Sequence, residues 1–241
     1  MDFEQHKDVD QKAHIRLPNL TYPATLNAFL NTGWNVNLVD TDKYGISKFE
    51  NTPDTYECLV GLYGMQPWER ARIENSYGVI VDGAQHWLEC NGQIGSGMAI
   101  SFDPTKNLNN YGSGGMVLTD DAYIAECIRN FKDNGKASGH EMVGTNNKMS
   151  EVDCAQMMVK TRYINQWQKR RADIAGYWSE RLKNTEVRSL IDQSNFKDHC
   201  YHKFVIDVGN RDALQRDLAL RKVETKLHYK EPLQELPAFQ E

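Results

Sequence analysis

Residues Ser101–Lys106 read SFDPTK, and the glycine-rich stretch Gly112–Gly115, GSGG, follows them closely. Lys106 comes just after a short apolar run, residues 98–102, and precedes another predicted strand. We therefore expect Lys106 on a loop between two strands. A lysine on a loop is most often a solvated surface charge, so its position alone does not assign a function.

A second stretch upstream gives the lysine a possible partner. Residues 79–85 read VIVDGAQ, a short apolar strand that ends in the carboxylate of Asp82 and continues to the amide of Gln85. Pyridoxal phosphate requires a lysine that binds its aldehyde and a carboxylate that keeps its ring nitrogen protonated. An aspartate at a strand end is more often a cap or turn residue, so the pairing remains suggestive at this point.

Composition is typical of a globular protein. The chain has 241 residues, of which 40% are hydrophobic and 25% charged. Its net charge of −5 gives no electrostatic reason to expect binding to nucleic acid or an anionic membrane. We expect no membrane helix, because no apolar run approaches the roughly 18 residues required, and no signal-peptide pattern opens the chain. The 5 cysteines are scattered, so we expect free thiols and a cytoplasmic location.

Strands and helices alternate along the first 150 residues. Gly33 is expected to end the first helix, and apolar residues spaced at i, i+3, i+4 and i+7 predict a helix within 120–134. The pattern favours an α/β fold with a mostly parallel sheet sandwiched by helices. Strands are predicted near 13–17, 34–39, 58–62, 79–81, 98–102 and 116–119, and helices near 24–32, 67–76 and 120–134.

The rest of the chain predicts a long helical segment and a smaller unit. Ser150 and Asp153 begin a helical stretch to about Leu182, with Gly176 as a candidate break. A polar linker near 184–199 precedes a predicted β-α-β unit at 202–208, 212–220 and 223–229. We therefore expect a large α/β domain over 1–150, a helical connection over 151–183 and a partial small α+β domain over 184–241.

Two other chemistries lack their motifs. No G-x-G-x-x-G follows a strand, which argues against a nicotinamide-dependent dehydrogenase. The 7 histidines show neither H-E-x-x-H nor another ligand spacing, so no metal site is expected. His86, beside Gln85, is interpreted as a packing or hydrogen-bonding residue.

Taken together, the motifs resemble the DegT/DnrJ/EryC1/StrS family of sugar aminotransferases, which have the aspartate-aminotransferase fold. That family carries D-A-A-Q, S-F-x-P-T-K-N and G-x-G-G in this order. Further blocks resemble its P-x-x-T-F-x-A-T, V-D-I-D, H-L-Y-G-x-P, G-x-N-x-R-M-S-E and H-Y-x-x-P-L; these lie at 18–25, 39–42, 61–67, 144–151 and 228–233. The resemblance covers the chain from about residue 13 to its end.

The resemblance implies a pyridoxal-phosphate enzyme that aminates a nucleotide-linked keto-sugar with an amino acid donor such as glutamate. It makes Lys106 the catalytic lysine and the residue that binds the cofactor covalently, whereas related branches that dehydrate sugars carry His there. It further implies a homodimer. The other implied cofactor-binding residues are Asp82 at the ring nitrogen, Gln85 at the ring oxygen, Ser101 at the phosphate, Tyr22 on the ring face and Asn146 at the phosphate of a partner subunit.

Some features depart from the family pattern. Gly61, Gly83 and Ser113 stand where the family usually has His, Ala and an acidic residue. Family members carry S-G-T-x-A-L, a phosphate-binding helix start, before the P-x-x-T-F block, whereas Met1–Gln11 reads as a charged leader. The resemblance therefore leaves a second interpretation open, a shortened, non-catalytic remnant or fragment of such an enzyme that binds the cofactor weakly or only through dimer contacts.

Overall fold

The computed structural model describes residues 13–47, 54–66, 78–88, 92–190 and 199–240. The predicted helix at 67–76 and the leader Met1–Gln11 lie outside the described residues. So does half of the predicted linker, at 191–198.

A six-stranded sheet forms the centre of the protein, in the order β2-β1-β3-β4-β5-β6. The first five strands in this order are mutually parallel, and β6 is antiparallel to β5. The predicted mostly parallel sheet is therefore confirmed. The strands are β1 His14–Pro18, β2 Asn35–Val39, β3 Thr55–Val60, β4 Val79–Asp82, β5 Gly97–Ser101 and β6 Gly115–Leu118.

Buried side chains lie on both faces of the sheet, because successive residues of a strand point to opposite faces. In β3, Cys58 and Val60 pack with β1 and the first helix, whereas Leu59 packs with β4 and β5. Ion pairing also joins the strands: Arg16 Nε lies 3.1 Å from Glu57 Oε1, and the two residues are opposite each other in β1 and β3. The central strands are thus buried on both sides, as a parallel sheet requires.

Five helices accompany the sheet within the described residues. The first ends as predicted beside Gly33, whose positive φ of 81° suits glycine. The second begins at Asp121, whose side chain accepts hydrogen bonds from two backbone amides of the first turn. The helices are α1 Pro23–Leu30, α2 Ala122–Phe131, α3 Glu151–Thr161, α4 Ile164–Leu182 and α5 Arg211–Leu220.

The predicted long helix is two helices, and its break lies at Arg162 and Tyr163. Their amides bond to the carbonyls three residues back, which tightens and ends α3, and the Tyr163 ring then stacks with that of Trp167 at 6.1 Å. Ser150 caps α3 as predicted. Gly176 is not the break, since α4 continues through it.

The predicted β-α-β unit near the end of the chain is correct in its helix, but its first strand is much shorter than predicted and its second strand is absent. Only Ile206–Asp207 (β8) is extended, and it pairs antiparallel with Arg188–Ser189 (β7), which lies in the expected linker. Residues 223–229 form no strand, although α5 is present. The reason is that this segment bonds to the loops at the sheet edge, as described below.

Gly176 provides a test of the α4 geometry. No heavy atom lies within 4 Å of the position its Cβ would take, and its φ is not positive. Gly176→Ala should therefore raise the free energy of unfolding by about 0.5–1 kcal/mol, because glycine destabilises a helix interior. Chemical denaturation measures this change. The reverse substitution Ala172→Gly should lower stability by at least as much; a loss with Gly176→Ala would contradict a continuous helix.

Candidate active site

The carboxyl ends of β1, β3, β4 and β5 lie at one edge of the sheet, because these strands are parallel. The loops that leave this edge carry most of the chemistry that the sequence singled out. Such an edge is where open α/β sheets bind ligands.

Asp82 ends β4, and both of its oxygens are held. The hydroxyl of Thr25 donates to Oδ2 at 2.7 Å, and the backbone amide of Ala84 donates to Oδ1 at 3.0 Å. Thr21 in turn lies 3.2 Å from the Thr25 hydroxyl, and both threonines are buried. Each carboxylate oxygen accepts more than one hydrogen bond, so Asp82 is fixed in orientation and retains acceptor capacity.

Gln85 connects three separate parts of the chain. Its Oε1 accepts from the amide of Tyr63 at 2.9 Å, and its Nε2 donates to the Tyr229 hydroxyl at 3.2 Å. The thiol of Cys200 donates to the Gln85 carbonyl at 2.9 Å. An amide nitrogen has two donors, so one N–H of Gln85 remains for a further acceptor.

Lys106 lies on a tightly bonded loop after β5. The Lys106 amide donates to the Asp103 carbonyl at 2.9 Å, and the Asp103 side chain accepts from the amide and hydroxyl of Thr105. Phe102 anchors the loop to the glycine cluster, since its amide donates to the Gly114 carbonyl at 2.8 Å. The glycine-rich stretch therefore helps to fix the position of the lysine.

Burial lowers the pKa of Lys106, and the negative charges of Asp82 and Asp103 raise it in part. The lowered pKa leaves more of the amine unprotonated near neutral pH than for an exposed lysine. The negative charge of Asp82 thus acts on Lys106 from the end of β4, the strand that neighbours β5.

Ser101 and Tyr22 lie at the same edge. The Ser101 hydroxyl accepts from the Asp103 amide at 3.2 Å, at the end of β5. Tyr22 follows β1 and is 59% exposed, and its ring centroid lies 6.3 Å from that of Tyr229. Tyr22 is thus not a core aromatic.

Asn146 does not lie at this edge of the sheet. It is exposed and forms an isolated bridge with Asp133 beyond the end of α2, where Lys148 and Asp133 also form an ion pair. Among the described residues, no hydrogen bond links Asn146 to Lys106, Asp82 or Ser101.

Sequence reasoning missed three residues that hold the site together: Thr25, Tyr63 and Tyr229. Each lies in a block that carried the family resemblance, but only their contacts across the chain reveal a role. Tyr63 has a positive φ of 62°, and its hydroxyl donates to the carbonyl of His228. Burial raises the pKa of Tyr229, so this hydroxyl keeps its proton.

Two of the departures from the family pattern have a steric explanation. A Cβ on Gly61 would lie 2.3 Å from the Cβ of His86, and one on Gly83 would lie 2.7 Å from Met98 Cγ. His86 is fully buried, and its Nδ1 donates to the Gly64 carbonyl at 2.9 Å. His86 therefore occupies the space that a side chain at position 61 would need.

Two kinds of site are not found in the part of the chain that the structure describes. No group of three or more His, Cys, Asp or Glu residues there could hold a metal ion. None of the described helices has both the length and the apolar character that crossing a membrane requires.

Comparison with known proteins identifies the family. The model of the DegT/DnrJ/EryC1/StrS aminotransferase family matches residues 74–241. The chain belongs to this family. The sequence is 36% identical over 159 residues to the erythromycin biosynthesis sensory transduction protein EryC1 of Saccharopolyspora erythraea, covering 65% of this chain and 43% of the relative.

Two further relatives cover nearly the whole chain. The dTDP-3-amino-3,6-dideoxy-alpha-D-galactopyranose transaminase of Aneurinibacillus thermoaerophilus is 31% identical, covering 97% of this chain and 69% of the relative. The crystal structure of S. venezuelae DesV in complex with a ketimine intermediate superposes with a TM-score of 0.83 at 26% identity, covering 95% of this chain and 66% of DesV. Its likeness confirms the expected fold. The chain spans about half the length of several of its curated relatives.

Thr25 provides a test of how this DegT-family site is held. Thr25→Val removes the hydroxyl that donates to Asp82 and leaves a half-buried carboxylate with one fewer partner. We expect the free energy of unfolding to fall by about 1–3 kcal/mol. Thr32→Val, which removes a hydroxyl bonded only to backbone carbonyls at the exposed end of α1, is the matched control. Equal losses in the two variants would contradict a specific contribution from the Asp82 contact.

Proposed function

We propose that this chain acts as a pyridoxal-phosphate-dependent aminotransferase that converts a nucleotide-linked keto-sugar to an amino sugar, with an amino acid such as glutamate as donor. The observation that carries the proposal is the pairing of a half-buried lysine of lowered pKa with an oriented carboxylate at one sheet edge. Family membership supports it, as do relatives described as transaminases of dTDP- and UDP-linked sugars.

The side chains at this edge of the sheet have the chemistry that pyridoxal phosphate requires. Pyridoxal phosphate, when bound, supplies an aldehyde that takes up the amino group and a ring that accepts electrons. The carboxylate of Asp82, oriented by Thr25 and the Ala84 amide, would hold a proton on the ring nitrogen. The free N–H of Gln85 would bind the ring oxygen, and the exposed ring of Tyr22 would cover the ring face.

Lys106 attaches the cofactor and serves as the base. Once the amino acid donor has displaced it from the cofactor, its Nζ would move the proton between the donor Cα and the cofactor C4′, in one direction in the first half of the reaction and in the reverse direction with the keto-sugar in the second. Base catalysis is most efficient when the pKa of the group lies near the working pH. The lowering of its pKa by burial therefore favours this role. Ser101 binds the cofactor phosphate through its hydroxyl.

The Lys106 assignment can be tested by chemical labelling. Reduction with borohydride after incubation with pyridoxal phosphate should leave a phosphopyridoxyl group on Lys106. The reason is that the amine of Lys106 is less protonated than the amine of an exposed lysine, and the unprotonated amine reacts with the aldehyde. Peptide mapping by mass spectrometry locates the adduct. Lys106→Ala should abolish both labelling and transamination, and Lys132→Ala, an exposed control, should abolish neither. An adduct confined to Lys43 or Lys132 would contradict the assignment.

We also propose that the active form is a homodimer in which Asn146 contributes to the cofactor phosphate of the partner subunit. Asn146 is exposed, and among the described residues it bridges to Asp133 and not to the Lys106 loop. Both features suit a residue that acts across a subunit interface. Exposed apolar side chains on β6 and α3 offer a surface for this contact: Met116, Val117, Val152, Met158 and Val159.

Asn146 provides the test of this arrangement. Asn146→Ala should weaken pyridoxal-phosphate affinity by about three- to tenfold, the equivalent of one hydrogen bond, without changing the melting temperature of the cofactor-free protein. Asn147→Ala, its exposed neighbour, should leave the affinity unchanged. Sedimentation measures the oligomeric state. A monomer that binds the cofactor tightly would contradict the shared site.

The domain boundaries and the location remain proposals. Helices α3 and α4 occupy the proposed helical connection, 151–183, between the sheet domain over 1–150 and the smaller unit over 184–241. Described cysteines Cys58, Cys127, Cys154 and Cys200 are free thiols, which supports a cytoplasmic location.

A further inference from the structure

Cys200 contacts the loops that follow three adjacent strands of the sheet, β3, β4 and β5. Its amide donates to the Gly64 carbonyl after β3 at 2.8 Å, and its thiol donates to the Gln85 carbonyl after β4 at 2.9 Å. Its own carbonyl accepts from Asn107 Nδ2, after β5, at 2.6 Å. Cys200 is 1% exposed, so these bonds are shielded from water. Cys200, from the last third of the chain, therefore joins three of the loops that form the candidate site.

The side chain of Asn107 makes this contact from the lysine loop, which we define as residues 102–110. Besides the bond from its Nδ2 to Cys200, its Oδ1 accepts from His202 Nδ1 at 3.1 Å. Burial lowers the pKa of His202 to about 3, so the ring is neutral and carries its proton on the nitrogen that faces Asn107. Because Asn107 is buried, an unpartnered amide there would be costly, and the two bonds fix its side chain.

The lysine loop is exposed at its tip and becomes buried from Lys106 onwards. Pro104 and Thr105 are exposed, Lys106 is half-buried, and Asn107 and Leu108 are buried. The depth at which Lys106 lies therefore depends on what holds the two residues that follow it. Leu108 packs in the apolar cluster that includes residues of β4 and β5, a contact without directional preference. The hydrogen bonds of Asn107, in contrast, require a particular direction and distance.

We propose that Asn107 is a positioning residue: by bonding the lysine loop to residues 200–202, it keeps the Lys106 side chain buried at the carboxyl edge of the sheet. The inference rests on the proposed function in naming Lys106 the catalytic lysine. Burial is the largest influence on the pKa of Lys106 and lowers it, whereas the charges of Asp82 and Asp103 oppose the lowering. A Lys106 released from this position loses its burial, so its pKa rises towards that of an exposed lysine.

The test is competitive labelling of the cofactor-free chain with acetic anhydride over a range of pH, followed by peptide mapping with mass spectrometry. An amine reacts only when it is unprotonated, so the pH at half-maximal reactivity of Lys106 measures its pKa. In Asn107→Ala, this midpoint should rise by about half a pH unit or more, because burial is lost although Leu108 is unchanged. The matched control is Asn109→Ala, which removes an amide that donates to the Pro104 carbonyl at 2.9 Å within the same loop and should leave the midpoint unchanged.

A second variant, His202→Phe, covers the case in which Asn107→Ala does not fold. It keeps a ring of similar size but removes the donor to Asn107 Oδ1, and leaves the bond from Asn107 to Cys200 in place. The Lys106 midpoint should therefore rise in the same direction but by a smaller amount. Lys132 is exposed and serves as the internal standard, since its midpoint should be the same in every variant.

Three outcomes would overturn the proposal. An unchanged Lys106 midpoint in folded Asn107→Ala would show that the packing of Leu108 alone holds the loop. Equal shifts in Asn107→Ala and Asn109→Ala would show that the general order of the loop, and not its link to residues 200–202, determines the burial of Lys106. If Asn107→Ala does not fold, an unchanged midpoint in His202→Phe is decisive against the proposal. Because acetylation requires no cofactor, a failure of phosphopyridoxyl labelling would count against the proposed function and not against this positioning role.

Discussion

The side chain of Gln85 is the constraint on which the candidate site depends. Its side-chain oxygen accepts from the Tyr63 amide after β3, its side-chain nitrogen donates to Tyr229, and the backbone carbonyl of Gln85 accepts from the Cys200 thiol. Three segments that are far apart in the sequence are therefore joined at one residue. Each bond of this kind contributes only about 0.5–1.5 kcal/mol, but together they determine where the last third of the chain meets the sheet.

This constraint also explains why sequence patterns predicted one part of the fold better than the other. In the sheet, Val79 and Val81 are buried, and they belong to a short apolar run that can be recognised directly in the sequence. The sequence also predicts a strand over residues 223–229, but this segment bonds to Tyr63 and Gln85 through His228 and Tyr229. Such long-range contacts override local strand preference, and nothing within the segment itself reveals them.

The site shows the same division. Asp82, Gln85, Ser101 and Lys106 lie within recognisable motifs and do come to one edge of the sheet, because parallel strands place their carboxyl ends together. Thr25 could not be assigned from the sequence, since it lies in helix α1 and its role is a bond to Asp82 at the end of β4. Helix breaks are equally hard to predict: Gly176 has the weaker helix propensity, but the break falls where the Tyr163 ring stacks on Trp167.

The presence of glycine at positions 61 and 83 has a steric reason that the sequence composition does not reveal. A side chain at Gly61 would displace His86, whose bond to the Gly64 carbonyl helps to set the turn on which Tyr63 lies. The Tyr63 amide in turn bonds to Gln85. The absence of a side chain at position 61 thus allows the contact on which Gln85 depends, and a residue with a Cβ there requires a different position for His86. The residue at position 61 and the position of His86 therefore depend on each other sterically, so neither can be interpreted alone.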